Sequence, residues 1–341
     1  MNQMDDTTKM YAAEAIRLTG DVPGGPFPAD SPVIRISGGG SDRFFLRIKD
    51  GSRSIITMIQ PGGSSELSRY ISIGDFLREN RAPVPEFYSF DQKRGILVME
   101  DLGSIHLEDA LKDCTVEVEL SFYRECINIL YMFQTSVKKD MFVRGVLEDA
   151  VFSEETLLGE TEYFEREFIG RFCSSTPEGW ENERRRLAKQ LSAEPLVFMH
   201  RDFQSRNVMV KNGEIRMIDF QDAHRGPGIY DAASILKGLY HPIRPGTRKT
   251  LLMELYYRLK EVDAITEASF EEYIEKFTLA AIQRNLQALA AFTFLGFTKK
   301  KETFLESIPR GIDMLEDSVA DSGEFPAIEA IMREYRENHQ V

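Results

Sequence analysis

The chain has few cysteines and no excess of positive charge. Its 341 residues include three cysteines, Cys114, Cys126 and Cys173, and none of them forms a C-x-x-C pair. This pattern argues against a zinc or disulfide framework and is typical of a reducing cytosol, so a cytoplasmic location is expected. The formal net charge is −13, which argues against nucleic acid or an anionic membrane as the main partner.

Long apolar segments are also missing. The longest apolar stretch, residues 286–297, is interrupted by Gln287 and is too short to span a bilayer. The first six residues are polar and acidic, so no secretory signal is expected there. With 42% hydrophobic and 28% charged residues, the composition is ordinary for a globular protein able to bury a core. No pattern indicates an obligate protein partner, and the length suggests about two domains.

Short apolar runs at the beginning of the chain predict a small antiparallel β-rich lobe. Strands are predicted over residues 33–36, 43–48, 54–59, 87–90 and 96–99, with helices over 7–20 and 67–77. Between the first two strands stand Gly38, Gly39, Gly40 and Ser41. Their backbone N–H groups could surround phosphate groups, and the alternative is a mobile turn.

From about residue 103 the pattern becomes helical. Helices are predicted over residues 122–133, 153–172, 230–239, 247–262, 269–298 and 323–337. The expected fold class is therefore α+β, with an N-lobe over residues 1–102 and a larger, mostly helical C-lobe over residues 103–341.

The most informative stretch is residues 200–207, HRDFQSRN, followed by residues 218–220, IDF. The spacing H-R-D-x-x-x-x-N, and then an apolar residue with Asp-Phe, is typical of the loops that carry out phosphoryl transfer. Residues 196–199 predict a buried strand that leads into the first loop. Asn212-Gly213 predicts a tight hairpin between two short strands, so the loop and the second Asp are expected to lie close together.

This arrangement predicts that three oxygen-bearing side chains surround one phosphoryl group. Asp202 can accept the proton of an attacking hydroxyl, and Asn207 and Asp219 can hold Mg²⁺ on the phosphates of ATP. The alternative interpretation is a solvated loop with a turn-capping Asp.

These residues resemble the aminoglycoside phosphotransferase / choline kinase group, whose members share the protein kinase-like bilobal fold. Within that group the chain is most similar to bacterial cell-wall amino-sugar kinases, which phosphorylate the anomeric hydroxyl of N-acetylmuramate and N-acetylglucosamine. The resemblance covers nearly the whole chain and is carried by residues 82–85 (APVP), 99–103 (MEDLG), 200–207 (HRDFQSRN), 218–223 (IDFQDA), 226–236 (GPGIYDAASIL), 283–289 (QRNLQAL) and 308–310 (IPR).

The resemblance implies a role for each matching residue. Asp202 would be the catalytic base, and Asn207 and Asp219 the Mg²⁺ ligands. Asp231 would be structural, with its carboxylate accepting hydrogen bonds from backbone N–H groups. The residues implied in ATP binding are Gly38, Gly39, Gly40 and Ser41 over the phosphates, and Glu100, Asp101 and Leu102 as the hinge that meets adenine.

One departure concerns the lysine that normally ends the third strand of kinases and contacts the phosphates. The matching segment, residues 55–58, reads IITM and has no lysine. The candidate replacements are Arg43, Arg47, Lys49 and Arg53. Arg47 is the first choice because it follows the glycine segment in mid-strand, and a solvated strand face is the alternative.

Polar residues around the motifs suggest how an acceptor is bound. Gln204, Arg206, Gln221 and Asp222 flank the catalytic residues and could read sugar hydroxyls. Acidic and basic residues are balanced over residues 200–225, whereas a polycationic aminoglycoside would favour an acidic cleft. Arg284 stands on a polar stripe of a predicted helix. It could pair with a substrate carboxylate such as the lactyl group of N-acetylmuramate, or simply face solvent.

The predicted function is ATP- and Mg²⁺-dependent phosphorylation of a sugar hydroxyl, with the amino-sugar anomeric hydroxyl preferred. Two alternatives stay open. One is phosphorylation of an aminoglycoside or a choline-like amino alcohol. The other is a catalytically weak nucleotide-binding module, which the missing lysine would favour.

Overall fold

The computed structural model describes residues 5–36, 43–62 and 65–339. The chain forms two compact units: Met1–Ile105 with Met209–Gln221, and His106–Val208 with Asp222–Val341. The strands are β1 Val33–Ile36, β2 Phe44–Asp50, β3 Arg53–Ile59, β4 Phe87–Asp91, β5 Ile96–Glu100, β6 Leu196–Met199, β7 Val208–Lys211, β8 Glu214–Met217 and β9 His224–Pro227. The helices are α1 Asp6–Arg17, α2 Ser65–Glu79, α3 Leu107–Ala110, α4 Val116–Met132, α5 Lys138–Arg144, α6 Glu154–Phe164, α7 Gly170–Phe172, α8 Trp180–Ser192, α9 Gly228–Leu236, α10 Pro245–Glu261, α11 Phe270–Thr293, α12 Ile308–Ser322 and α13 Pro326–His339.

The first unit is built on a five-stranded antiparallel sheet with the order β1-β2-β3-β5-β4. Side chains alternate across the sheet, and one face of β2, β3 and β5 packs against α1. The buried residues of this core include Ala12, Ala15, Phe44, Leu46, Ile48, Ile55, Ile59, Ile96 and Val98. Asp5 caps the N-terminus of α1, because its carboxylate accepts a hydrogen bond from the Thr8 backbone N–H at 2.7 Å.

The hairpin of β7 and β8 turns at Asn212 and Gly213, whose φ angles of 54° and 83° suit a tight turn. Backbone hydrogen bonds join the hairpin to the first unit. The Met217 N–H donates to the Pro83 carbonyl at 2.7 Å, and the Val210 N–H donates to the Ile105 carbonyl at 2.8 Å. The lobe boundary drawn between residues 102 and 103 stays a prediction, because compactness alone does not define a functional lobe.

The second unit is mostly helical. Its longest helix, α11, is buried over most of its length and therefore lies in the core of the unit. Strands β6 and β9 pair in antiparallel register, with Leu196 opposite Pro227 and Met199 opposite His224. Among the helices that the structure describes, none combines the length and apolarity needed to cross a membrane.

The predicted fold class is confirmed: an antiparallel β region precedes a mostly helical remainder. Five of the helices and strands were not predicted from the sequence, namely β9, α3, α5, α8 and α12. The segment that forms β9 reads HRGP and has no apolar alternation, so its pairing with β6 depends on tertiary contact. Helix α8 is mostly polar and buries Glu183 and Arg184, which weakens its apolar stripe. The last helix begins at Pro326 rather than at residue 323, after the Gly323 C-cap of α12.

Candidate active site

The loop after β6 is held by one buried carboxylate. Asp231, in the first turn of α9, accepts hydrogen bonds from the backbone N–H groups of His200 at 2.6 Å and Arg201 at 2.9 Å. Asp231 is only 1% exposed, and burial raises its pKa to about 7 despite these two bonds. The structural role predicted for Asp231 is confirmed. The loop therefore leaves β6 with its first two N–H groups already paired.

Asp202 lies beside two side chains that the sequence prediction assigned to the acceptor. Arg284 of α11 donates from Nη2 to Asp202 Oδ1 at 3.2 Å and to Gln204 Oε1 at 3.1 Å. Its Nη1 donates to Gln287 Oε1 at 2.6 Å. Arg284 is 8% exposed, so this cation is largely removed from water next to the carboxylate. The structure brings Asp202, Gln204 and Arg284 together, and it gives Arg284 a partner on the protein.

Asn207 is oriented by the same loop. Its Nδ2 donates to the Asp202 backbone carbonyl at 2.9 Å, and no described residue donates to its Oδ1. An amide oxygen without a donor is a hard ligand of the kind Mg²⁺ prefers. In the part of the chain that the structure describes, no group of three or more His, Cys, Asp or Glu side chains could hold a metal ion. One amide and one carboxylate still fit Mg²⁺, which keeps waters and phosphate oxygens as its other ligands.

A buried carboxylate that the sequence prediction missed pairs with Arg201 of this loop. Glu160 of α6 accepts hydrogen bonds from the Tyr230 hydroxyl at 3.0 Å and from Gln283 Nε2 at 3.2 Å, and lies 3.5 Å from Arg201 Nη2. Burial raises the pKa of Glu160, although Arg201 and these hydrogen bonds oppose the shift. Arg201 adopts φ 73°, an uncommon conformation for a residue with a side chain. The only sequence signal was one acidic residue on the apolar face of a predicted helix.

Asp219 belongs to the first unit, where it follows the β7–β8 hairpin with φ 68°. Strained backbone of this kind is frequent at functional sites. Arg43 donates a hydrogen bond from Nη2 to Asp219 Oδ1. The guanidinium of Arg43 is mostly buried and places a positive charge directly beside this carboxylate. The convergence of Asp202, Asn207 and Asp219 on one metal stays a prediction.

The backbone around Asp219 is supported by aromatic packing. The ring of Phe220, the next residue, stacks on Tyr70 of α2 with 4.6 Å between ring centroids. Gly74, one turn further along α2, lies against the rings of Phe87 and Phe220. A side chain at residue 74 would overlap the Phe87 ring, so glycine allows this close approach. Burial raises the pKa of Tyr70 well above its ordinary value.

The four candidates for the missing lysine have different surroundings. Arg43 contacts Asp219, whereas Lys49 is exposed and Arg53 pairs with Asp50. Arg47, the first choice from the sequence, has its Nε 2.7 Å from Asp101 Oδ2 and donates from Nη2 to the Gly103 carbonyl at 2.6 Å. These contacts favour a structural role for Arg47, and its role at the phosphates stays a prediction.

The predicted hinge is anchored by ion pairs. Glu100 accepts hydrogen bonds from Lys211 Nζ at 2.8 Å and from Arg216 Nη2 at 2.5 Å. Burial raises the pKa of Glu100, but the hydrogen bonds and charges of Lys211 and Arg216 outweigh it, so the pKa is lowered overall. Leu102 is 5% exposed, and none of the described residues pairs with its backbone N–H or carbonyl group. Buried backbone groups are rarely left unpaired, so Leu102 is suited to meet the polar edge of a ligand such as adenine.

The other predicted site residues lie in both units. The backbone carbonyl of Gln221 accepts from Arg69 Nε at 2.7 Å, and the exposed Asp222 has its carbonyl 2.7 Å from His224 Nδ1. Arg206 pairs through Nε with Glu108 at 3.0 Å. The four predicted phosphate-loop residues Gly38, Gly39, Gly40 and Ser41 lie outside the described residues.

Comparison with known proteins decides the family. A family profile described as the phosphotransferase enzyme family matches residues 32–261, which is more than half of the chain. The chain belongs to this family. It is therefore a kinase-type phosphotransferase with an alcohol group as acceptor, and family membership implies ATP as the phosphoryl donor.

Two curated relatives carry the same name. The chain is 27% identical over 307 residues to N-acetylmuramate/N-acetylglucosamine kinase from Pseudomonas aeruginosa, and the alignment covers 88% of this chain and 86% of the relative. It is 25% identical to the kinase of that name from Neisseria meningitidis serogroup B, with 80% of each chain covered.

Solved structures with a similar fold include two kinases of small amino alcohols. Plasmodium vivax ethanolamine kinase has a TM-score of 0.63 at 15% identity, covering 93% of this chain and 90% of that one. Choline kinase LicA from Streptococcus pneumoniae has a TM-score of 0.61 at 15% identity, covering 92% and 100%. At this identity the similarity shows the kinase-like fold.

Proposed function

We propose that this enzyme transfers the γ-phosphoryl group of ATP to the anomeric hydroxyl of N-acetylmuramate or N-acetylglucosamine. The observation that carries the proposal is the position of Asp202, a loop carboxylate held by Arg284 at 3.2 Å. The names of the curated relatives, which align over most of both chains, support the amino-sugar acceptor. A cytoplasmic location, and the absence of an obligate protein partner, stay predictions.

The proposed role of Asp202 is that of a general base. As the acceptor oxygen attacks the γ-phosphorus, its proton passes to the Asp202 carboxylate, while the bond between the γ-phosphorus and the bridging oxygen of ADP breaks. Arg284 fixes the carboxylate, and Asp231 fixes the backbone that leads to it. A base held in place loses little freedom on reaching the transition state.

Asn207 and Asp219 are the proposed ligands of Mg²⁺, which when bound neutralises phosphate charge during transfer. Arg43, beside Asp219, is suited to provide the positive charge that the third strand lacks. The backbone of Leu102 is the proposed partner of adenine, together with neighbouring Glu100 and Asp101. Residues 38–41 are proposed to cover the phosphates.

The charge around Asp202 favours a neutral or anionic acceptor. Arg284 pairs with Asp202, and Arg201 pairs with Glu160. These charges balance one another and do not form the strongly acidic cleft that a polycationic aminoglycoside would favour. Gln204, Gln221 and Asp222 stay proposed readers of sugar hydroxyls.

An acceptor panel tests the proposal. ADP release is measured with ATP and each of N-acetylmuramate, N-acetylglucosamine, choline and gentamicin. The methyl glycoside of N-acetylglucosamine, whose anomeric oxygen is blocked, is the matched control. We expect turnover with the two free sugars alone and the phosphate on C1 by phosphorus–proton NMR coupling. Turnover of the methyl glycoside would contradict the anomeric site, and preference for choline or gentamicin would contradict the acceptor class.

A further inference from the structure

A cavity of about 420 Å³ lies in the second unit, lined by residues of the loop after β6, of α11 and of the segment that begins α12. Its volume is within the range of small-molecule sites, roughly 300–1,000 Å³. The aromatic rings of Tyr240, Phe292 and Phe304 form one part of the lining, and two cations, Arg206 and Arg310, form another. Polar atoms make up most of the exposed lining, and converging polar groups of this kind orient a small polar ligand.

Arg310 stands in the first turn of α12, in the IPR segment at residues 308–310 that carried part of the family resemblance. Its Nη2 is buried and has no hydrogen-bond partner within the described part of the chain. Burial lowers the pKa of Arg310, and the like charge of Arg206 adds to this effect. A buried charged donor without a partner is costly, and an anionic ligand in the cavity would remove that cost.

Arg206 belongs to the loop that carries Asp202, and its guanidinium also lines the cavity. Its Nε binds Glu108, and its guanidinium lies over the Tyr240 ring at 4.1 Å from the centroid. Neither terminal nitrogen of Arg206 donates a hydrogen bond to a described residue. The hydroxyl-bearing Ser307 and the acid Glu306 also line the cavity. The lining therefore offers two guanidinium groups against one carboxylate.

The cavity shares one lining residue with the loop of the proposed base. Arg206 follows Asp202 by four residues on one loop. Burial raises the pKa of Tyr240, and the charges of Arg206, Arg284 and Asp202 act on it as well. Because Arg206 lies over the Tyr240 ring, the loop that carries Asp202 supplies part of the cavity lining.

We propose that this cavity is a carboxylate-binding subsite for the acceptor, in which Arg310 and Arg206 hold the lactyl carboxylate of N-acetylmuramate. The inference rests on the proposed function, since it names the part of the site that distinguishes the anionic sugar from the neutral one. It differs from the sequence-based hypothesis for Arg284, whose Nη atoms are occupied by Asp202, Gln204 and Gln287.

The test compares Arg310→Gln with Arg333→Gln, a control that removes the same charge from an exposed position of α13. The substrates are N-acetylmuramate, its carboxamide and N-acetylglucosamine. We expect Arg310→Gln to raise the KM for N-acetylmuramate about tenfold or more, as for a lost charge-assisted hydrogen bond. The KM values for the carboxamide and for N-acetylglucosamine should change less than about twofold. Equal changes for all three substrates, or none, would overturn the subsite.

Equilibrium binding separates failure of the subsite from failure of the proposed function. Calorimetric titration of the wild type and of both variants with N-acetylmuramate and its carboxamide needs no turnover. If the wild type phosphorylates neither sugar but still binds the acid more tightly than the amide, and Arg310→Gln removes that preference, the proposed reaction fails and the subsite stands. If acid and amide bind equally to the wild type, the subsite fails whatever the activity. Arg310→Lys keeps the charge and should therefore retain part of the preference for the acid. Such a result would assign the loss of preference in Arg310→Gln to the missing charge and not to unfolding.

Discussion

Nη2 of Arg284 lies 3.2 Å from Oδ1 of Asp202, and 82 residues separate the two along the chain. The same nitrogen donates to Gln204 Oε1, so one guanidinium ties together two side chains of a single loop. Because Arg284 is carried by the buried helix α11, the proposed base is positioned from the core of its unit and not by the loop alone.

Asp202→Asn should lower kcat roughly 10²–10⁴-fold, the usual contribution of a general base. The affinity for ATP should change little, because the carboxylate acts on the acceptor. Steady-state kinetics and an equilibrium titration with ATP measure the two effects. Asp317→Asn, an exposed substitution on α12, is the control. A near-normal kcat for Asp202→Asn would remove this residue from the mechanism.

Arg284→Ala should lower kcat on both amino sugars by about 10- to 100-fold, since a hydrogen bond to a charged group contributes about 1.5–3 kcal/mol. Arg284→Lys should recover part of the rate, because it keeps the charge but not the forked geometry. The measurement is kcat and KM for both sugars. A rise in KM confined to N-acetylmuramate would instead support the carboxylate contact suggested by the sequence.

Gly74→Ala should destabilise the fold by about 1–3 kcal/mol, as is usual for an overpacked core. The added methyl would overlap the Phe87 ring and come within 3.2 Å of the Phe220 ring. Gly159→Ala, also within a helix, is the matched control, because nothing lies within 4 Å of its new Cβ. Urea unfolding should show the control unchanged or stabilised by up to about 1 kcal/mol. Equal stability of the two variants would contradict the close packing around residue 74.

Glu194→Gln should flatten the pH dependence of stability between about pH 4.5 and 7. Burial and the neighbouring Glu267 raise the pKa of Glu194 from 4.5 to about 7, although Lys276, 3.1 Å away, opposes the shift. The folded state thus holds this proton more tightly than the unfolded chain does. The resulting stabilisation is complete at low pH and is lost as the pH rises through about 7.

The amount lost should be on the order of 1–3 kcal/mol. Thermal or urea unfolding at several pH values measures it, with Glu178→Gln as an exposed control. Because both variants retain Asp231, whose pKa is also about 7, the difference between them isolates Glu194. Parallel pH profiles for the two variants would show that Glu194 does not bind the proton more tightly in the folded state.

The strands and turns around the site could be predicted from local patterns. Alternating apolar residues and the Asn212-Gly213 pair predict β7, β8 and their turn, because side-chain alternation and positive φ are properties of a few neighbouring residues. The same local logic missed β9, whose HRGP segment has no strand signal of its own. It also missed Glu160, because one acidic residue on the apolar face of a helix is a weak signal and its buried partners are distant in sequence.

The order of the proposed catalytic residues along the chain, the hairpin between them and the family to which the chain belongs were all encoded in contiguous stretches. The pairing of each basic side chain with its acidic partner was not encoded in such a stretch. Arg47 turned out to bind Asp101, Arg43 to bind Asp219, and Arg284 to bind Asp202. Each of these pairs joins residues more than 50 positions apart, and a charged side chain finds its partner only when packing has brought distant backbone segments within hydrogen-bonding distance.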